Sequence, residues 1–343
     1  MRRLLIPLLC LLLATSLHAQ KRKPKKDIET KPQALEVLPE PPEAVTVETG
    51  RLSFLVSPLS SDGLLSRQIR DALKSLVRNS HGASIVKIRA FVAGSGDLRR
   101  IKEIVADEFT DHKLALPAVS TVQVGALPMV GAQVVIEAML AEKKLVNPNG
   151  LAFISGSDAK QPIARLQNSL TSAGLKPPDV LSLTCYLSSL DDVAAVRTAA
   201  AAAFPAAAAN FVQMQRLGLE PRIQCEAIGR LGSAPASPVT IQNGAALVNA
   251  PKLVLTAAQM VFRDQDEDFR LAYQRLGKAL GSQGASLKDV AWAESFSLIK
   301  PNAAKLEAVE RELLSQPHGG IAVQVEGLPS TDATAAVELI AVK

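Results

Sequence analysis

The chain has 343 residues, 48% of them hydrophobic and 21% charged, with 20 Gly and 21 Pro. That describes a folded chain of two or three domains and excludes the collagen-like, disordered and disulfide-rich classes. Aromatic residues make up only 3%, too few for stacking platforms on single-stranded nucleic acid. The formal charge of +5 originates at the N-terminus, where residues 1–26 carry seven basic residues and no acid; the remainder is slightly acidic, which argues against a nucleic-acid-binding body.

In chain order, Arg2 and Arg3 precede the apolar run Leu4–Leu13, and small and polar residues lead to Ala19. This is the pattern of a secretory signal peptide over residues 1–19, too short to span a bilayer comfortably. An uncleaved anchor is the alternative. The expected location is periplasmic or secreted, with no membrane association beyond the export signal. Residues 20–43 hold the basic run Lys21–Lys26, then Pro32, Pro39, Pro41 and Pro42 without apolar periodicity, and read as a basic, Pro-rich linker.

Three copies of one pattern follow, with expected domains at 44–143, 144–233 and 236–343. In the first, Leu65, Ile69, Leu73, Leu76 and Val77 recur at helical spacing, a turn at Gly82 follows, and Ile85–Val92 reads as a strand. A second amphipathic helix carries Leu98, Ile101, Val105 and Phe109, and the closing strand is Val134–Met139 with Glu137 inside it. The second copy has Ile163, Leu166 and Leu170, a turn at Gly174, strand Val180–Leu187, a helix with Val193, Val196 and Phe204, and Glu226 in Ile223–Ile228. The third repeats this with Phe269, Tyr273, Leu276 and Leu280, Gly284, Val290–Leu298, a helix through Leu306, Val309 and Leu313, and Glu338 in Ala336–Ala341. From the start of the middle strand to this glutamate, Ser84 to Glu137, Asp179 to Glu226 and Asp289 to Glu338, the distance is 53, 47 and 49 residues, a register that chance would not keep. Each copy is therefore an α+β unit, a mixed sheet with two helices on one face. Strand alternation sets Ser182, Thr184 and Tyr186 against Leu181, Leu183, Cys185 and Leu187, and Trp292, Glu294 and Phe296 against Ala291, Ala293 and Ser295. The face without helices is thus part polar, as expected of a surface that meets other sheets.

Several stretches carry a resemblance to the Rid family (RidA/YjgF type). Gly150-Leu151-Ala152-Phe153-Ile154-Ser155-Gly156 is similar to the family's opening strand, and Thr256-Ala257-Ala258-Gln259 is a weaker version. Ala173-Gly174-Leu175 followed by Asp179-Val180 resembles its helix-to-strand turn. Gly327-Leu328-Pro329 leading to Val337–Ala341 resembles its last hairpin, as does Leu116-Pro117-Ala118 leading to Glu137-Ala138. The resemblance spans residues 45–343. It implies a chorismate-mutase-like fold and, because the family is a homotrimer with a small-molecule cleft between neighbours, an intramolecular, monomeric pseudo-trimer of three fused lobes.

The family's chemistry, hydrolysis of imines and enamines, implies an arginine just after a Pro-Ala pair, holding a substrate carboxylate. The corresponding positions here are Val119, about Ala209 and about Gly320, none of them basic. The closing glutamates remain, so Glu137, Glu226 and Glu338 are the catalytic candidates, either near the clefts or as satisfied structural carboxylates. Arg222 and Gln224 share the strand face of Glu226 and are the substrate-binding candidates, Arg222 as a stand-in cation. The four histidines show no ligand spacing, so neither a metal nor another cofactor is expected. On adjacent strands of the family's sheet, Cys185 and Cys225 form a disulfide if the register sets them opposite, or else stay buried thiols. The expected function is small-metabolite binding in inter-domain clefts without deaminase activity. The alternative is a hydrolase of the 2-iminobutanoate/2-iminopropanoate type using the glutamates; an endoribonuclease is opposed by export and by the acidic body.

Overall fold

The computed structural model describes residues 38–343 apart from 95, 158–159, 217–221 and 315–316. The expected signal peptide and most of the linker lie outside the described residues.

The first copy contributes β1 (Ala44–Glu48), β2 (Leu52–Val56), α1 (Leu65–Asn79), β3 (Ser84–Ala93), α2 (Arg100–Asp111), β4 (Ala118–Val124) and β5 (Val134–Ala141). The second contributes β6 (Leu151–Ser157), α3 (Pro162–Ser172), β7 (Val180–Leu187), α4 (Val193–Ala203), β8 (Ala208–Gln213) and β9 (Ile223–Arg230). The third contributes β10 (Val239–Gln242), β11 (Ala245–Val248), β12 (Lys252–Thr256), β13 (Gln259–Phe262), α5 (Asp266–Ser282), β14 (Val290–Ser297), α6 (Lys300–Leu313), β15 (Gly319–Gln324) and β16 (Ala333–Val342). The helices form where apolar residues recur at three and four: α1 buries Ile69, Ala72, Leu73 and Leu76 on one stripe. α5 opens with Asp266, Glu267 and Asp268 against the positive end of its dipole, and Asp268 reaches back to the backbone N–H of Gln265.

Each middle strand lies between an antiparallel closing strand and a parallel edge strand: β5-β3-β4, β9-β7-β8 and β16-β14-β15. Three outer cores fill the space between each sheet and its helix pair. The opposite faces of all three sheets share one central core, with Phe91, Tyr186 and Trp292 among its buried members. Phe91 meets Tyr186, and Phe153 meets Trp292, at ring-centroid distances of 6.0 Å across lobe boundaries. The chain is therefore an α+β pseudo-trimer.

Two segments pair outside the lobes in which sequence order puts them. β1, within 44–143, pairs antiparallel with β12 at the edge of the third sheet. The hairpin β10–β11, within 236–343, pairs through β11 with β6 of the second sheet. At the corresponding place in the second copy, the loop before β6 leans on the first lobe: the backbone N–H groups of Val146 and Asn147 donate to Gly50 O, and Asn147 Nδ2 donates to Leu52 O at 2.7 Å. Each copy thus lends its opening segment to the copy before it, and β1 closes the circle onto the last. Backbone hydrogen bonds close a second circle where the edge strands end: Gln123 N to Gly327 O, Gly125 N to Gln213 O, and Gln215 N to Gln324 O. Gly150 makes one crossing feasible, with φ +94° and a backbone so close to β11 that a Cβ would lie 2.1 Å from Val248 O.

Cys185 and Cys225 are direct partners in the β7–β9 register and are joined by a disulfide, Cα atoms 4.1 Å apart. Of the two states open to them, this register selects the bonded one. Among the described residues, no helix is long and apolar enough to cross a membrane.

Candidate functional site

The antiparallel registers put Glu137 opposite Arg89, Glu226 opposite Thr184, and Glu338 opposite Glu294. These three pairs occupy equivalent places on the inner faces of the three sheets, so inward packing brings them to the pseudo-threefold axis. Glu137, Glu226 and Glu338, for which a place near the clefts and a structural role were both open, accordingly meet in one central cluster rather than each lining its own cleft. Strand parity gives the face a side chain occupies, but not what that face packs against.

Arg89, 5% exposed, is the hub. Its Nη1 donates to Glu226 Oε1 at 3.0 Å and to Glu137 Oε2 at 3.3 Å; its Nε donates to Glu338 Oε1 at 2.7 Å; its Nη2 donates to Glu294 and Glu338. One guanidinium with five N–H donors in a planar fork thereby serves all three lobes. The Phe296 ring lies beneath it, 5.9 Å from its carbon to the centroid. Lys87 Nζ donates to Glu338 Oε2 at 2.7 Å and to Thr256 O at 2.6 Å.

A second cyclic pattern surrounds the hub. Ser120, Asn210 and Ile321 are equivalent, each paired in register with Arg89, Thr184 or Glu294. Ser120 Oγ donates to Glu338, and Asn210 Nδ2 donates to Glu137 Oε1 at 2.7 Å, each reaching the glutamate of the preceding lobe. Ile321 has nothing to donate, and Glu226 Oε2 takes no hydrogen bond from a described residue, although Glu226 Oε1 accepts from Tyr186 Oη at 2.9 Å.

The electrostatics follow. Burial pushes the Glu226 carboxyl above its ordinary value, and Arg89 offsets that only in part. Burial also acts to raise Glu338, but Arg89 and Lys87 outweigh it and hold that carboxyl down to about 2. Burial pulls Lys87 down against the attraction of Glu338, and pushes Tyr186 well up. Beside the cluster lies a cavity of about 30 Å³, walled in part by Thr184, Glu226 and Trp292. Such a volume has room for a water and not for a metabolite. Among the described residues, no group of three or more His, Cys, Asp or Glu side chains is placed to hold a metal ion.

The remaining candidates lie elsewhere. Arg222 is exposed just ahead of β9, held by its backbone, which accepts from Ser188 N and donates to Ser188 Oγ. Four residues of extended chain separate it from Glu226, on the order of 13 Å, so it does not reach the cluster. Gln224 is half-buried, two residues nearer. Sequence reasoning missed Arg89, Lys87 and Tyr186 as partners of the glutamates. The available signal was that Lys87 and Arg89 alternate with Ile88 and Ala90 in a strand otherwise apolar.

The positions corresponding to the family arginine are uncharged: Val119 is buried in the outer core of the first lobe, Gly320 accepts from Ser155 Oγ at 2.9 Å, and Ala209 is exposed. Ala209 lines the larger space, a cleft of about 530 Å³ between the first and second lobes. Val56, Leu59 and Met129 wall it from one side and Phe204 and Phe211 from the other, with Arg197, exposed on α4, and Asn210 as its polar elements. Its size and apolar lining suit a small molecule.

Three like-built lobes, closed by exchanged strands and sharing one core, define the class: a single-chain pseudo-trimer with inter-lobe clefts. Residues 62–142, within the first lobe, match the family described as Endoribonuclease L-PSP, and the second and third lobes repeat that lobe's order of elements. Among solved structures, the chain is similar to a member of the YjgF/YER057c/UK114 family from Mycobacterium tuberculosis, with 23% identity, 26% of this chain and 79% of that one covered, and a TM-score of 0.25. It is also similar to E. coli TdcF with bound serine, at 19%, covering 32% and 89%, TM-score 0.25, and to the Rid-family protein YyfB from Yersinia pestis, at 15%, covering 29% and 84%, TM-score 0.27. No curated protein matches the chain.

Proposed function

We propose that this chain is an exported binding protein that takes a small ligand in the cleft between its first and second lobes and does not hydrolyse imines. The observation that carries this reading is the commitment of the glutamates: they are tied up around Arg89 beside a space of about 30 Å³, while the 530 Å³ cleft has Ala209 where the family places its arginine. Without a cation at that position a carboxylate is not fixed for attack by water. Export is supported by the apolar run Leu4–Leu13 behind Arg2 and Arg3 and by the Cys185–Cys225 disulfide, a bond that oxidising compartments preserve.

Ammonia release from freshly generated 2-aminoacrylate tests the catalytic half of this reading. The expected result is a trace no faster than the uncatalysed reaction. A rate that Glu226→Gln abolishes would overturn the reading in favour of a hydrolase.

A further inference from the structure

Resting on that reading of the cleft, we infer that its floor selects a ligand presenting an N–H donor, an amide or amine on an apolar body, and disfavours a carboxylate, with Asn210 as the residue that decides.

Asn210 is 4% exposed and forms part of the cleft wall. Its amide orientation is fixed by its neighbour, because Nδ2 donates to Glu137 Oε1 at 2.7 Å. The flipped amide would set Oδ1 against that carboxylate, two acceptors face to face without a proton between them. Glu137 is itself held: Oε2 accepts from Arg89 Nη1 at 3.3 Å, and Oε1 also accepts from Thr184 Oγ1 at 2.5 Å. The axis cluster therefore acts at a distance on the cleft, turning the amide so that its oxygen lies on the side away from Glu137. That oxygen takes no hydrogen bond from a described residue. Ser57 Oγ accepts from Ile136 N at 2.9 Å, and the cation of the lining, Arg197, stands exposed on α4, where water screens its charge. At Asn210 the wall thus offers an acceptor: a ligand carboxylate placed there would meet a carbonyl oxygen, whereas an amide or amine N–H satisfies it. The surrounding Val56, Leu59, Met129, Phe204 and Phe211 call for an apolar body of modest size.

The test uses matched compounds of one shape, 4-methylpentanamide, 4-methylpentan-1-amine and 4-methylpentanoate, titrated calorimetrically into the full chain. The amide or the amine is expected to bind about tenfold tighter than the acid, the difference one matched against one mismatched hydrogen bond makes. Asn210→Ala is expected to bring the three within about twofold of one another, and Ala209→Trp, which fills the cleft, to abolish binding of all three. The wild-type comparison alone is decisive, so the inference stays falsifiable if Asn210→Ala folds poorly. An acid that binds as tightly as the amide, in a manner Ala209→Trp abolishes, overturns this inference and leaves the cleft reading standing. Binding indifferent to Ala209→Trp, or no binding by any of the three, overturns the cleft reading itself.

Discussion

Arg89 stands where four carboxylates and two cations have been taken out of water together, and such a cluster is stable only if nearly every lone pair and proton is used. Glu338 meets that condition, with both oxygens engaged by Arg89, Lys87 and Ser120. Glu226 does not, because the position that would have donated to its Oε2 is Ile321. The two glutamates therefore make opposite contributions. Glu338, held low, stabilises the fold at pH above the ordinary carboxylate range, and that contribution fades as pH falls toward about 2. Glu226, held high, is favourable while protonated, and its contribution is lost as pH rises through its raised folded value. Glu226→Gln, a neutral mimic of the protonated acid, should leave stability at neutral pH unchanged or improved and should flatten the decline above the ordinary carboxylate range. Glu338→Gln should cost about 3–5 kcal/mol by leaving Lys87 and Arg89 undercompensated. Denaturant midpoints for both variants, measured from about pH 4 to pH 8, check this; equal losses in the two would show that the cluster does not distinguish its carboxylates. Parity made the inward face of these residues legible in the sequence. Their meeting was hidden, because Arg89 belongs to one repeat and its carboxylates to all three.

At the level of elements, helices and middle strands were readable because their signals are local: a stripe at three and four, a run of β-branched and apolar residues, a glycine turn between them. The strand exchange was not readable, since β1 and β11 are short, largely apolar segments of five and four residues that would suit any free sheet edge. What chooses the edge is the position of the neighbouring lobe, which no local pattern encodes. Gly150 is a place where the exchange leaves a mark in the chain, since its φ of +94° and the closeness of Val248 O disfavour any side chain. Gly150→Ala is expected to destabilise the protein by about 1–3 kcal/mol through strain at this crossing. The Gly174→Ala variant is the control: it also has positive φ, +76°, but nothing within 4 Å of a Cβ, so it should cost less. Parallel thermal melts decide it, and a Gly150→Ala loss no larger than that of Gly174→Ala would mean that β11 yields readily.

For the whole molecule, fusion matters because it removes the demand for symmetry. A homotrimer places one residue three times around its axis, so an arginine there would face two copies of itself, and a glutamate likewise. In this chain the three equivalent positions carry Arg89, Thr184 and Glu294, and only that asymmetry lets one guanidinium bind carboxylates from every lobe. The same asymmetry opposes assembly of three chains through equivalent lobes, because an axis built from three third lobes would gather six buried carboxylates without a cation. Ring closure is intramolecular, with β1 and β12 tethered through the intervening chain, so their effective concentration is set by the fold and not by dilution. Sedimentation from about 0.1 to 100 µM is therefore expected to show one species of a single chain's mass, with a melting temperature that does not move with concentration. A species of three chains, or a melting temperature that climbs with concentration, would place the closing contacts between molecules. Removing β1 supplies the converse: a chain beginning at Thr49 leaves the β12 edge of the third sheet unpaired, and an exposed edge of this kind promotes self-association, so this truncation should gain the concentration dependence that the intact chain lacks.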